Sequence, residues 1–418
     1  MKDNKILFGT MIVLLLLLTV GLSYAYFSTA VKGNDNAKDV VVEAGTLKLT
    51  YTDGPAINTQ YIKPGWSTTK EVSVKNNGTL DAYYNVIWQS LTNGITNDEL
   101  VLSATCQRLN ASGTVEGTCE SISQAPISDM TIAKKISIES GITHKYTFTI
   151  LFLNKNYSQN YNQGKEFNGV LGIEEYVSTQ FEKDDWSTIV ANVKSGNISD
   201  YNIGDTKEVN LGTTYGTHTL RIANTSTPSE CSTTGFSQTA CGFVLEFADI
   251  ITTHNMNPKG EYKGTTYNNG WNVDGWPASS MYTFVNNDIY NAIPSEIKNA
   301  IIDTTVVSGH GKGDTKNFTS TDKLYLLAPK EIYIDWSNDY DTAKDLMRTL
   351  DYYTNIGVTT SNYSGTIKKN GTSAAAWWWL RSAYSNSNSS FYIVRSGGDW
   401  GGYLASLTNG VAPAFRLG

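Results

Sequence analysis

The segment YIDWSNDYD places Asp335, Asn338, Asp339 and Asp341 close together. Oxygen ligands at such spacing can hold calcium. The competing account is a solvated loop before a helix over residues 342–353 (TAKDLMRTLDYY), whose acid-rich first turn suits the helix dipole. The EF-hand pattern with its central glycine is absent. Asp335, Asp339 and Asp341 are therefore the one metal candidate, and the expected cofactor set is otherwise none. SGHGKGD at residues 308–314 is glycine-rich but lacks the spacing of a phosphate-binding loop, and reads as a connector. His254, in THNMN, reads as a hydrogen-bonded structural histidine. The four cysteines fall into two local groups, Cys106 with Cys119 and Cys231 with Cys241. Four cysteines permit three pairings, and the local one is the simplest. Neither group is C-x-x-C, so redox catalysis is not expected. A zinc site would need closer ligands, and the chain has only four histidines. No catalytic residues emerge, and the chain is expected not to be an enzyme.

These groups must be carried by folded domains. With 418 residues, 40% apolar and 11% aromatic, the chain can build real cores and is long enough for two domains. The formal net charge is −7 and no Lys/Arg run is present, which removes a nucleic-acid footprint. Residues 6–22 form an uncharged apolar run after Lys2 and Lys5. Ser23 and Ala25 then occupy the −3 and −1 positions of a signal-peptidase site. Residues 1–25 are thus expected to be a signal peptide cleaved after Ala25, with an uncleaved anchor helix as the alternative and the only membrane contact. Either way the body is exported, to the cell surface or beyond, where disulfides persist.

Residues 26–180 read as an all-β sandwich. DVVVEAGTLKLTY, KEVSVKNNGTL and HKYTFTILFL show short-period apolar patterning, and Tyr146, Phe148, Ile150 and Phe152 fall on one face. The leader ending SYAYFST, then VVVEAGTLKLTY and IKPGWSTTKEVSVKNNGTLDAYYNVIW, resembles the camelysin and biofilm-matrix-fibre family of Gram-positive bacteria. The resemblance implies an exported surface protein, in some members a fibre subunit. One camelysin-type member is a metalloprotease, but this chain has no H-E-x-x-H, so protease activity is not carried over.

Residues 181–418 read as an α+β domain. A helix is expected over residues 186–194 with Gly196 as its stop, and paired strands follow in IGDTKEVNL and HTLRIAN. GFVLEFADII reads as a buried strand. A helix capped by Ser279 or Ser280 follows, and Pro294 starts another. The tail parses as a meander: strand FYIVR, turn SGGD, strand WGGYLAS, turn TNG and closing strand VAPAFRL, with Pro413 at an edge or a break.

WWLRS, a variable polar stretch, FYIV, a Gly-rich turn and GVAPAFRL resemble a bacterial surface domain of unknown function; ADIITTHNMN, GWPASSM and DKLYLLAPKEIY fit it as well. That domain resembles the C-type-lectin-like fold of formylglycine-generating enzymes, shared with the variable proteins of diversity-generating retroelements. The oxidase chemistry of those enzymes needs late cysteines, and none follows Cys241. The short motifs of calcium-dependent sugar binding are also absent.

The resemblance implies a fixed floor, made of Trp377, Trp378, Trp379, Arg381 and Phe415 with Leu380, Ile393, Val394, Val411 and Leu417. On it would ride interchangeable positions: Tyr384, Asn386, Asn388, Ser390, Arg395, Asp399, Tyr403, Leu404 and Leu407. The Tyr, Ser and Asn among them resemble antibody paratope chemistry, rigid amphipathic area with adaptable hydrogen bonding. The expectation is a secreted or surface adhesin or receptor that binds a protein or glycan on another cell surface. The alternative is a structural matrix-fibre subunit, self-assembling through the sandwich when residues 26–42 add a strand to a neighbour.

Overall fold

The computed structural model describes residues 40–44, 47–59, 62–371 and 374–418. The leader, its cleavage site and most of the proposed strand-donating segment lie outside these residues. The chain divides into two compact units, Met1–Val177 and Ser178–Gly418. Both are rich in strands, with few and short helices.

In the first unit, a seven-stranded sheet runs in the order Val40–Ala44, Leu47–Thr52, Ser67–Asn76, Thr143–Phe152, Leu100–Leu109, Val115–Thr118, with Ile122–Pro126 also pairing to Leu100–Leu109. A three-stranded sheet has Ala82–Asn93 between Phe167–Glu175 and Thr131–Ile138. Strand Thr143–Phe152 explains how they meet. Alternate residues His144, Tyr146, Phe148, Ile150 and Phe152 are buried, as a period of two requires. They pack with Tyr84, Val86, Trp88, Leu171 and Ile173 of the other sheet in one core. This is a sandwich. Its interior holds polar groups that bond to one another: Tyr84 Oη lies 2.8 Å from both His144 Nδ1 and Tyr146 Oη. Burial holds His144 down to about 4, so the imidazole is neutral. Glu99, fully buried, accepts from Gln159 Nε2 at 2.7 Å, Asn162 Nδ2 at 2.8 Å and the hydroxyls of Tyr157 and Tyr161. Those donors anchor the loop that leads into the last strand.

The second unit holds a four-stranded sheet, Thr206–Asn210, Thr217–Asn224, Val244–Phe247, Ala414–Arg416, and a five-stranded one in the order Thr252–His254, Asn409–Val411, Trp378–Ala383, Ser390–Val394, Trp400–Leu404. Helix Trp186–Ser195 begins where the Asp185 side chain accepts from Thr188 N–H. It ends at Gly196, whose φ of 76° suits glycine. Ser279 caps the helix beginning Ser280–Phe284, and Ser295–Lys298 follows Pro294.

The two local cysteine groups form disulfides, Cys106–Cys119 and Cys231–Cys241. Such bonds fit an oxidising, exported setting. Among the described residues, no helix is long and apolar enough to cross a membrane.

Two expectations fail. TAKDLMRTLDYY is not one helix: a single turn at Lys344–Leu346 breaks at an extended Met347 (φ −152°), and helix resumes only at Asp351–Asn355. Tertiary partners outbid helix propensity there. Arg348 Nη1 donates to Asn224 Oδ1, Ser226 Oγ and Ala240 O, and Leu350 N to Glu331 O. The closing meander also comes apart after Trp400–Leu404. Asn409–Val411, read as a turn and the start of the closing strand, is a strand pairing with Thr252–His254, and Ala414–Arg416 crosses to the other sheet. Pro413 sits at the break between them.

Candidate functional site

The floor beneath the tail is built from buried side chains. Trp378, Trp379, Leu380, Arg381, Ile393, Val394, Val411 and Phe415 are fully buried, and Leu417 nearly so. Trp378 Nε1 donates to Thr366 O at 3.2 Å and Trp379 Nε1 to His254 O at 2.9 Å, so both indoles bury area without orphaning their donors. Arg381 makes a buried pair with Glu331, at 2.6 Å and 2.5 Å, and donates to Leu326 O and Val307 O. His254 stacks on Phe284 with ring centroids 4.3 Å apart. Trp377 departs from its expected role. It is half-buried, and its ring meets Tyr403 at 4.9 Å and the Arg395 guanidinium at 5.9 Å. It is a wall of the surface rather than part of the floor.

None of the nine candidate positions is buried. Asn386, Asn388 and Leu407 are exposed; Tyr384, Ser390, Arg395, Asp399, Tyr403 and Leu404 are intermediate. Tyr384, Ser390, Arg395, Tyr403 and Leu404 lie around the edge strand Trp400–Leu404, on both of its flanks rather than on one open face. The register pairs Ser390 with Leu404, Tyr392 with Gly402 and Phe391 with Tyr403. Directly opposed residues share a face. Ser390, Tyr392, Gly402 and Leu404 therefore lie on one side. Tyr384 is with them, 3.6 Å from where a Cβ on Gly402 would sit and 5.1 Å from the rings of both Tyr392 and Tyr340. Tyr403 and Arg395 lie on the other side with Trp377. Arg395 bonds to Asp399 at 2.5 Å, and its guanidinium fills the space a side chain at Gly401 would take.

The polar tract 385–389 is held by a residue the sequence reading missed. Asn272 is fully buried. Its Nδ2 donates to Ser387 O at 2.9 Å, Ser390 O at 2.8 Å and, at 3.4 Å, Tyr384 O. Its own N–H donates to Asn388 O at 2.9 Å, and Lys312 N to Ser387 O at 3.0 Å. The glycine-rich 308–314 segment is packed against this clamp rather than a mere connector: a Cβ on Gly311 would fall 2.3 Å from Asn272 Oδ1. The spacing of Gly309 and Gly311 is the only local hint, and it does not point to Asn272.

The calcium candidate does not assemble. Asp335 accepts from Thr360 N at 2.7 Å and Thr360 Oγ1 at 2.8 Å. Asp339 is exposed beside Lys344 at 3.4 Å. Asp341 is buried and accepts from Trp336 Nε1 at 3.0 Å. Loop turns send the three carboxylates to different partners. Among the described residues, the one group of three candidate ligand atoms within 4.8 Å of one another is Cys106, Cys119 and His144, and its two sulfurs are bonded to each other.

Asp341 and Asp322 instead act on stability. Burial pushes both up to about 6. Unfolded aspartate titrates near 3.9, so the folded state holds these protons more tightly. The stability this confers is complete below about pH 4 and is lost as pH rises through about 6. Asp341→Asn keeps an acceptor for Trp336 and removes the titration. In urea unfolding, D341N is expected to gain about 1–3 kcal/mol on the wild type between pH 4.5 and 7. A pH-independent difference would contradict this.

Residues 248–418 match the family described as Domain of unknown function (DUF6273). The match begins after helix Trp186–Ser195 and strand Val244–Phe247 of the second unit. Residues 5–92 match the family described as Camelysin metallo-endopeptidase; they contain no histidine. No curated protein matches the chain. The chain is thus similar to two families, with a camelysin-like region at its N-terminal end and a DUF6273 domain reaching its last residue.

Proposed function

We propose that this chain is an exported cell-surface ligand-binding protein, an adhesin or receptor. In this proposal the second unit has a C-type-lectin-like architecture and presents ligand-binding side chains around its last hairpin. The first unit is a non-catalytic β-sandwich that carries it. The observation behind the proposal is the way Asn272 holds the polar tract. Every bond it makes there is to a main-chain carbonyl, so this clamp does not depend on which side chains occupy Tyr384, Asn386 or Asn388; Ser390 is tied more closely, its Oγ accepting from Ser387 Oγ at 3.0 Å. A surface whose side chains are interchangeable over a fixed backbone suits diversified recognition. A neighbouring template repeat differing from the codons for residues 377–415 only at adenines would identify the diversifying element.

The test uses the full chain, screened against arrays of glycans and of cell-surface proteins. A ligand found this way is expected to be lost, by at least about tenfold in Kd, in the triple variant Y384A/R395A/Y403A, with the floor still folded by near-UV circular dichroism. Retention of binding by the triple variant would place recognition elsewhere and overturn the proposal.

A further inference from the structure

The last strand of the five-stranded sheet has a free side. Arg395 N donates to Asp399 O at 2.7 Å and Ala405 N to Ser389 O at 2.7 Å. These two bonds set the phase of the antiparallel ladder between Ser390–Val394 and Trp400–Leu404. Residues 401 and 403 turn their N–H and C=O groups inward to the neighbouring strand. Trp400, Gly402 and Leu404 turn theirs outward. Two outward carbonyls are used: Trp400 O accepts from Arg395 Nη1 at 2.9 Å, and Leu404 O from Leu407 N at 3.0 Å. Gly402 N–H, Gly402 C=O and Leu404 N–H have no partner among the described residues. Gly402 is exposed, and the strand lies at the end of the sheet order.

Protein edges are normally blunted by charge, proline, a bulge or a covering loop. This one has adjacent glycines, Gly401 and Gly402, at its centre, and glycine inside a strand often marks a place where another backbone comes close. Arg395 and Asp399 neutralise each other at one end. Alternating outward amide groups are complemented by an extended peptide, which offers N–H and C=O at the same repeat. A sugar offers no such regular series.

We infer that the edge strand Trp400–Leu404 recognises an extended peptide segment of a partner protein, which adds to the sheet through Gly402 and Leu404. Its side chains would alternate between two aromatic walls, Tyr384 on one flank and Trp377 with Tyr403 on the other. Main-chain bonds to Gly402 then supply affinity common to all ligands, and the candidate variable residues supply selectivity. This names the ligand class for the surface proposed above and rests on that proposal.

The test selects ligands for the full chain from a phage-displayed random peptide library and, in parallel, from a glycan array. A selected peptide is resynthesised with single backbone N-methyl groups at successive positions. The expected result is a period of two, with every second methylation weakening Kd by about tenfold or more, and slower amide exchange at Gly402 and Leu404 in the complex. Gly402→Pro, which removes the outward donor, is expected to lose peptide binding while the floor stays folded by near-UV circular dichroism. Peptide binding without the two-residue period, or with exchange at Gly402 and Leu404 unchanged, overturns the inference and leaves the binding surface standing. Glycan binding alone that Y384A/R395A/Y403A abolishes does the same, as does a self-dimer closed through this edge. Absence of both peptide and glycan ligands removes the inference and the binding proposal together.

Discussion

Arg381→Met is expected to destabilise the second unit by about 3–5 kcal/mol, the usual result of leaving one partner of a buried ion pair uncompensated. Arg381 and Glu331 are both fully buried and meet through two short bonds. Methionine fills similar space but donates nothing. Glu331 would keep Thr239 Oγ1 and Ala328 N as donors, too few to hold an interior carboxylate charged. Leu326 O and Val307 O would also lose the guanidinium. In a unit of this size, calorimetry should record a fall in Tm of about 10 °C. The double variant E331L/R381M should recover much of the loss, because an apolar pair leaves no buried charge. Recovery separates a charge-burial effect from a packing one. A single variant that melts within a degree or two of the wild type would show that Arg381 is not the tie between strand Trp378–Ala383 and helix Pro329–Ile332.

Asn272→Asp is the second large effect expected. The amide nitrogen of Asn272 serves three main-chain carbonyls from a fully buried position. A carboxylate there would point an acceptor at acceptors, with no water to relieve it. Orphaning these groups should cost about 3 kcal/mol or more. That corresponds to local opening of residues 384–390 favoured by on the order of a hundredfold, visible as faster amide exchange at Tyr384 and Ser387, which donate to Ser390 O and Tyr384 O. Gly311→Ala attacks the same clamp from the other side, because its Cβ would fall 2.3 Å from Asn272 Oδ1. If exchange in this tract is unchanged in N272D, the backbone is held by something other than the clamp, and the main support for interchangeable side chains disappears.

The features legible in the sequence are those whose causes are local. The alternation in Thr143–Phe152 marks its buried face, because successive side chains on a strand point oppositely. Ser279 and Gly196 mark helix ends, because a hydroxyl acceptor and a positive φ are needed within one turn of the boundary. SGGD marks the hairpin turn between Ser390–Val394 and Trp400–Leu404. The short separations within Cys106–Cys119 and Cys231–Cys241 made local pairing the simplest choice. The run of tryptophans indicated a packed floor, though only Trp378 and Trp379 are sealed within it.

What the sequence could not decide depends on residues far apart along the chain. Arg348 finds Asn224 and Ala240 more than a hundred positions away, and for that contact the helix expected over residues 342–353 is given up. Asp335, Asp339 and Asp341 are neighbours in sequence, but a loop free of helical or strand periodicity turns them to separate partners. Asn272 reaches the tail across more than a hundred residues, and Glu331 reaches Arg381 across fifty. The flank of Tyr403 follows from strand register, and the opposite flank of Tyr384 from its packing on Gly402 and Tyr392. Residue type and spacing specify which groups are capable of chemistry; only the packing of distant segments specifies which of them share a surface, because burial and register are properties of the pair and not of either strand.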